Sequence, residues 1–298
     1  MANPIHYKTC PACDSAAIVP ALSVKDHSVS GETFFVLECI SCTLRFTQDV
    51  PDAASISPYY KSEDYISHTN TSRGLVNRLY QWVRTRTMNS KRKMVAKYTG
   101  LEKGQLLDLG SGTGTFAYNM KKNGWTVTAL EPDEQARGVA RQTYQMELQD
   151  IDGFYELAPG QFDAITLWHV LEHVHDLHGY LQKLKSLLNE NGKLFIAVPN
   201  YTSADAEKYQ NFWAAYDVPR HLYHFSPRSL VSLVEKNGMK VVDYRPMWFD
   251  SFYICLLSSK YKHGKPILTE AFWNGLLSNG KALGDVKKCS SVVYIVRK

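Results

Sequence analysis

Residues 105–114, QLLDLGSGTG, decide the fold. Leu106, Leu107 and Leu109 surround Asp108, and Gly110, Gly112 and Gly114 follow at alternate positions, with Ser111 between the first two. The apolar run predicts a buried strand. The glycines behind it predict a tight turn, where a backbone without Cβ takes positive φ and lets its amides approach a ligand. A helix opening just after Gly114 favours an anionic group at its N-terminus.

Alternation extends outward from that loop. Upstream, Leu75, Val76, Leu79, Trp82 and Val83 recur at helical spacing, and Met94, Val95 and Tyr98 resume the stripe before Gly100, so one long helix or two are expected. Downstream, a helix over 115–122 stops at Asn123-Gly124. A strand over 126–130 runs into Glu131-Pro132, a helix covers 133–145, and a short strand lies near Glu147. Strand 162–167 precedes a helix capped by Asp176 and stopped by Asn191-Gly192. Strand 193–198 follows, and Ser226-Pro227 starts a helix that ends at Asn237-Gly238. Strand 239–244, an aromatic-rich insert over 247–285 and a final strand over 291–296 complete the chain. Strands alternating with helices predict an α/β domain over 75–298, a doubly wound, mostly parallel, seven-stranded sheet. The last strand has no helix directly before it and is free to insert antiparallel.

Residues 1–50 carry a different pattern. Cys10-Pro-Ala-Cys13 and Cys39-Ile-Ser-Cys42 are two CxxC pairs separated by 25 residues. Two such knuckles joined by a hairpin supply four thiolates in a tetrahedron, so a small zinc ribbon is expected. A closed four-cysteine site leaves no open coordination position, and its role is structural: so small a unit buries too little core to fold unaided. Residues 51–74, with prolines, serines and Tyr59, Tyr60 and Tyr65, read as a connector.

Composition narrows the classes. A 298-residue chain with 44% hydrophobic and 21% charged residues is that of a soluble globular protein. No apolar segment reaches the ~18 residues of a membrane span, and MANPIHYKTC lacks a charged leader with an apolar run. The cytoplasm is the expected compartment. A net charge of +5 is mild, and the run Lys91-Arg92-Lys93 reads as a solvated helix face, so nucleic acid is not the expected partner. Oligomeric state is not readable.

In a doubly wound sheet the ligand lies at the carboxyl ends of the strands. Glu131 falls there, 17 residues after Gly114, where a carboxylate can accept hydrogen bonds from ribose hydroxyls of a dinucleotide or an adenosine ligand alike. The turn separates the two. A dinucleotide fingerprint, GxGxxG, would need its third glycine at Thr115, whereas this chain reads GxGxG behind Asp108. An acid at that place suits a ligand with an ammonium or a sulfonium better than a pyrophosphate.

DLGSGTG, with Glu131-Pro132, Asp150-Ile151, FDAITLWHVLEHV and GKLFIAVPN in order, resembles the motif set of class I S-adenosylmethionine-dependent methyltransferases, which share a Rossmann-like fold, over roughly residues 100–298. The resemblance implies that Asp108, Gly110, Ser111, Gly112 and Gly114 hold the methionine part of S-adenosylmethionine. It implies Glu131 and Pro132 at the ribose, Asp150 and Ile151 at the adenine, and Trp168 and His169 beside the methyl group.

The expected acceptor is a small molecule. Methyl transfer is an in-line displacement that demands alignment and a base only where the acceptor must lose a proton. His169, His173, His175 and His178 precede one helix, and His221 and His224 lie in DVPRHLYHFSP. The four cysteines, the tyrosine-bearing connector and His221 to Ser226 resemble the zinc-containing sugar C-methyltransferases, in which a Glu-His pair and tyrosines serve the acceptor. This chain matches His221 but carries Arg220 where the Glu is expected. O-methylation with His221 or His169 as base stands beside C-methylation, of a sugar or a lipid-linked metabolite, with Tyr59, Tyr60 and Tyr65 as candidate acceptor contacts. The insert, with Trp248, Phe249, Phe252, Tyr253, Phe272 and Trp273, is expected to cover the acceptor cleft. Rival readings are an RNA methyltransferase gripping nucleic acid through the ribbon, a non-catalytic nucleotide-binding module and an oxidoreductase.

Overall fold

The computed structural model describes residues 4–60 and 75–298, with side chains from 83 onward in the second stretch. Tyr65 lies outside the described residues. Near the N-terminus β1 (Ile18–Lys25), β2 (Thr33–Cys39) and β3 (Arg45–Thr47) form an antiparallel sheet. The main sheet is built from β4 (Gln105–Leu109), β5 (Thr126–Leu130), β6 (Phe162–Trp168) and β7 (Leu188–Pro199), all parallel. β8 (Tyr223–His224) leaves that sheet and pairs with β3, so the N-terminal sheet has the order β1-β2-β3-β8. β9 (Lys240–Pro246) and β10 (Ser291–Arg297) close the main sheet in the order β5-β4-β6-β7-β10-β9, and β10 runs antiparallel to both neighbours.

Six strands stand where seven were expected. The segment near Glu147 contributes a single bridge, Gln149 to Leu130, with Gln149 N–H donating to Ala129 and Glu131 N–H donating to Gln149, each at 2.9 Å. Beyond it, Asp150 accepts from Asp152 N–H at 3.3 Å and turns the chain into a short helical turn at Ile151–Glu156. A second difference lies before β7. The helix ends at Leu187 instead of at Asn191-Gly192. Gly192 is used for a close approach instead, because a Cβ there would stand 2.8 Å from the Phe162 carbonyl oxygen.

Helices cover both faces of the sheet: α1 (Leu75–Thr99), a single helix, α2 (Thr115–Lys122), α3 (Glu134–Tyr144), α4 (Leu177–Leu187), α5 (Ala204–Tyr209) and α6 (Pro227–Lys236). The insert folds into α7 (Asp250–His263) and α8 (Leu268–Gly284). Because both faces are covered, β4 is buried and apolar from Leu106 to Leu109 except at Asp108. Leu106 packs with Val95, Phe116, Met120 and Trp125 on one side, and Leu107 and Leu109 with Ile165, Leu167 and Ile196 on the other. Ordered caps set the helix starts: Asp133 accepts from Ala136 N–H at 2.7 Å, Asp176 from Gly179 N–H at 2.9 Å, and Ser226 forms a capping box with Ser229.

Candidate active site

The glycine loop carries β4 into α2 with Gly110, Gly112 and Gly114 all at positive φ. Two of these glycines are needed for packing. A Cβ on Gly110 would stand 2.5 Å from Val170, and one on Gly114 would stand 3.0 Å from Ala140. Gly112 differs, since its Cβ direction is open, with nothing within 4 Å. That opening is the shape a ligand needs against backbone. Ser111 ties the turn to itself, its hydroxyl donating to the Asp108 carbonyl at 2.8 Å.

Two buried carboxylates flank the loop. Asp108 Oδ1 accepts from Thr166 at 2.7 Å, while Oδ2 is buried without a partner among the described residues. Burial pushes its pKa up to about 6, against the Thr166 and Ser111 hydroxyls and the nearby Lys91. A buried oxygen with nothing to accept from is a place for a donor or a cation, which fits the ammonium of S-adenosylmethionine. Glu131 Oε2 accepts from Gly112 N–H at 2.7 Å and Oε1 from Asp133 N–H at 3.0 Å, so it fixes the loop and the start of α3 together. Burial raises its pKa and those two amides oppose the rise. Each oxygen keeps a second lone pair for a ribose hydroxyl. Asp150 is bound to Arg137 at 2.6 Å and half-exposed, with Ile151 beginning the turn next to it.

The opposite wall is assembled from four separate segments. His169, at φ 60°, follows β6 and places its ring between Glu172 (Nδ1 to Oε1, 3.2 Å) and Asp250 at the start of α7 (Nε2 to Oδ2, 2.9 Å). Burial disfavours its charged form, but Asp250 and Glu172 outweigh that and hold the pKa at about 9. Glu172 is fully buried. Burial alone would raise its pKa, and His169 beside it brings it down instead. His173 stands edge-on to His221 at 4.6 Å between ring centroids, and Tyr60 reaches His173 Nδ1 through its hydroxyl at 3.1 Å. Burial and the neighbouring His221 press the His173 pKa down to about 4. Trp168 lies edge-on to Phe116 at 5.3 Å, and its indole N–H is buried without a partner among the described residues.

The ribbon supports that wall. Cys10 and Cys42 sulfurs lie 3.6 Å apart, Cys13 and Cys39 sulfurs 3.5 Å, and all four within 4.8 Å of one another. A zinc tetrahedron with Zn–S of ~2.3 Å needs sulfur separations of about 3.8 Å, so the set is compatible with structural zinc. Both knuckles have the same backbone: Asp14 and Thr43, each just after the second cysteine, sit at φ 62° and 64° and donate to the carbonyls of Cys10 and Cys39. From the far end of this sheet, β3 pairs with β8, and Thr47 donates to the His221 carbonyl at 2.8 Å.

Several expectations need correction. Lys91 is no solvated residue: its ammonium stands 4.1 Å from the Trp168 ring centroid, and burial lowers its pKa to about 8 against the pull of Asp250 and Asp108. Arg220 is committed to ion pairs. It is buried on Asp26 (3.0 Å) and Asp217 (2.6 Å) and donates to the Tyr59 carbonyl at 2.8 Å, pinning the connector that delivers Tyr60. Tyr59 itself turns outward to Glu32 at 2.7 Å. His175 bonds the Pro51 carbonyl, His178 faces Asn237, and His224 faces Thr47, so these three bind structure together. Phe272 and Trp273 are exposed, and the insert meets the site through Asp250. Glu172, Asp250 and Lys91 were missed. For Glu172 the signal was an acid inside the apolar run HVLEHV; Asp250 and Lys91 are distant in sequence and offered none.

Residues 80–244 match the family described as a methyltransferase domain. A ubiquinone biosynthesis O-methyltransferase from Xanthomonas euvesicatoria pv. vesicatoria (strain 85-10) is 28% identical over 165 residues, which are 49% of this chain and 66% of that protein. One of the same description from Aeromonas salmonicida (strain A449) is 27% identical over 57% of this chain and 75% of its own length. The chain thus spans about two thirds to three quarters of these relatives. Among solved structures, magnesium protoporphyrin IX methyltransferase from Synechocystis PCC 6803 with bound S-adenosylhomocysteine covers 83% of this chain and 100% of its own, at 13% identity and a TM-score of 0.54. That likeness is one of fold.

Proposed function

Because the chain belongs to the methyltransferase-domain family, we propose that it transfers a methyl group from S-adenosylmethionine to an oxygen of a small-molecule acceptor lying between the glycine loop and the His-Glu wall. The observation that carries this reading is the buried, unpartnered Asp108 Oδ2 beside the open face of Gly112. In this reading Asp108, Gly110, Ser111, Gly112 and Gly114 hold the methionine end, Glu131 and Pro132 the ribose, Asp150 and Ile151 the adenine, and Trp168 the methyl-bearing side. The zinc held by Cys10, Cys13, Cys39 and Cys42 is structural, and the compartment is the cytoplasm.

On transfer, an acceptor oxygen forms the new bond to carbon and the carbon–sulfur pair returns to sulfur. The acceptor's proton must be taken up. His169 suits this poorly, since its two carboxylate neighbours stabilise the protonated ring; it orients Glu172 and Asp250. His221, with Nδ1 on the Ala215 carbonyl at 2.8 Å, has Nε2 to receive a proton; His173 borders it, and Tyr60 borders His173. The curated relatives act, by name, in ubiquinone biosynthesis, which points to a phenolic hydroxyl as the first acceptor class to try. C-methylation of a sugar is a second reading, favoured by Glu172, which puts a carboxylate beside His221 from a segment other than Arg220.

Incubation with methyl-labelled S-adenosylmethionine and separate panels of phenols, nucleotide sugars and RNA tests the reading. Label in a small molecule is expected. Label in RNA alone, or calorimetry showing affinity for NAD and none for S-adenosylhomocysteine, would overturn it.

A further inference from the structure

The acceptor wall contains a feature that acid–base chemistry leaves unexplained. Glu172, His173 and His221 each place one possible ligand atom within 4.8 Å of the other two. Glu172 is 0% exposed and its Oε2 is without a partner among the described residues. His173 Nδ1 faces the Arg220 carbonyl at 2.9 Å, and His221 Nδ1 faces the Ala215 carbonyl at 2.8 Å. A carbonyl only accepts, so each Nδ1 carries a proton, and the nitrogen that can offer a lone pair to a metal is Nε2.

Two imidazoles fixed through Nδ1–H to backbone carbonyls are the arrangement by which metal-binding histidines are held in one tautomer and one orientation. Two such rings and one carboxylate form a donor set for zinc or another first-row divalent ion, with coordination positions left open. The scaffold is rigid around them. Glu172 and His173 share one short helical turn, Leu171–His173, and Leu222 N–H donates to the Glu172 carbonyl at 2.8 Å, locking the loop of His221 against it.

We propose that Glu172, His173 and His221 bind a divalent transition-metal ion, a second metal site distinct from the four cysteines, whose open positions take a hydroxyl, or two adjacent oxygens, of the methyl acceptor. A metal there lowers the pKa of a bound hydroxyl and holds it in place, so that the ion, not a free His221, activates the acceptor. The inference rests on reading this wall as the acceptor side of a methyltransferase cleft.

Metal stoichiometry tests it without turnover. The full chain, stripped under reducing conditions and titrated with Co²⁺, is expected to take up two equivalents: one raising the thiolate-to-cobalt charge-transfer band of the ribbon, the other raising only weak ligand-field bands. Glu172→Gln and His173→Ala should each keep the thiolate band at one equivalent and bind the other equivalent roughly 100-fold more weakly or not at all. Should one variant fail to fold, as judged by circular dichroism, the other carries the test. Wild-type protein saturating at one equivalent, with the thiolate band complete, would overturn the second site, as would variants that retain both equivalents. Calorimetry with S-adenosylhomocysteine on the same samples separates the two readings: binding at one metal equivalent removes only the second site, whereas no binding removes the methyltransferase reading.

Discussion

The two walls of the cleft are built in opposite ways. The cofactor side comes from one continuous motif, β4, its glycine turn and α2, with Glu131 added from the adjacent strand, so each residue is set by its immediate neighbours. On the proposed acceptor side, Tyr60, Glu172 with His173, His221 and Asp250 come from four segments, and the N-terminal sheet braces them through β8. The first wall follows from local backbone rules, and the second exists only when the whole chain is folded. Damage at a distance should therefore separate them.

The largest effect is expected from the ribbon. With structural zinc at the four cysteines, as proposed, chelation or Cys42→Ser should remove the tie that orders the two knuckles and, through β3 and β8, loosen the Thr47 bond to the His221 carbonyl. Turnover of the acceptor identified by labelling should fall to background, while affinity for S-adenosylhomocysteine stays within about twofold, since Asp108 and Glu131 are held by Thr166, Gly112 and Asp133. Equal losses of both would show that the walls are one cooperative unit.

Asp108→Asn probes the other wall. Losing one buried charged partner should weaken S-adenosylhomocysteine binding by roughly 100-fold in calorimetry. Stability should move the opposite way. The native pKa of about 6 lies above the ordinary carboxylate value of about 3.9, so in that window the folded chain holds a proton that the unfolded chain has lost. Stability from this group is present below the window and is lost as pH rises through about 6, at most roughly 3 kcal/mol by neutral pH. The neutral Asn avoids that loss, so its melting temperature should exceed that of wild type at neutral pH and match it near pH 4. Cofactor affinity of the wild type should rise as pH climbs through about 6 and the carboxylate gains its charge. A pH-independent affinity would place the ligand's cation elsewhere. Glu131→Gln, which keeps the size but weakens the acceptor for two loop amides, should cost less, about tenfold in affinity.

Legibility in the sequence follows the same division. DLGSGTG, Glu131 and the strand-helix alternation could be read because their meaning is local: Leu106, Leu107 and Leu109 alternate between two covered faces, and glycines at positive φ write themselves into the chain. The end strand inserts antiparallel, as the sequence allowed, but the premise was wrong: α7 and α8 do precede β10, and the aromatic-rich composition of the insert hid their helical phase. The strand near Glu147 was overcounted, because periodicity does not reveal that Asp150 turns the chain after one bridge. On the acceptor wall, sequence supplied His169, His221 and Tyr60 as residue types but not their grouping. Helical phase within α1 did not identify Lys91 as inward, since the group that receives it, Trp168, lies 77 positions away in sequence. The carboxylate near His221 was hidden in the same way: it belongs to Glu172, about fifty positions upstream, brought there by the Leu222 N–H bond to the Glu172 carbonyl.

The smallest effect expected, and the sharpest test of how the second wall was assembled, is Tyr60→Phe. Tyr60 lies in the connector, next to the Tyr59 carbonyl that Arg220 holds, and its hydroxyl meets His173 Nδ1, which also faces the Arg220 carbonyl. The ring keeps its place when the oxygen goes, so the change removes the hydroxyl's contact with His173, about 1 kcal/mol for a hydrogen bond, or roughly fivefold in kcat/KM for the acceptor. Affinity for S-adenosylhomocysteine should not move. If Tyr60 only packs the connector, kcat/KM should be unchanged in Phe and reduced in Tyr60→Ala alone. If it touches the acceptor, the loss in Phe should appear in KM; if it acts through His173, it should appear in kcat, because the acceptor would still bind while the imidazole that borders it was less firmly oriented.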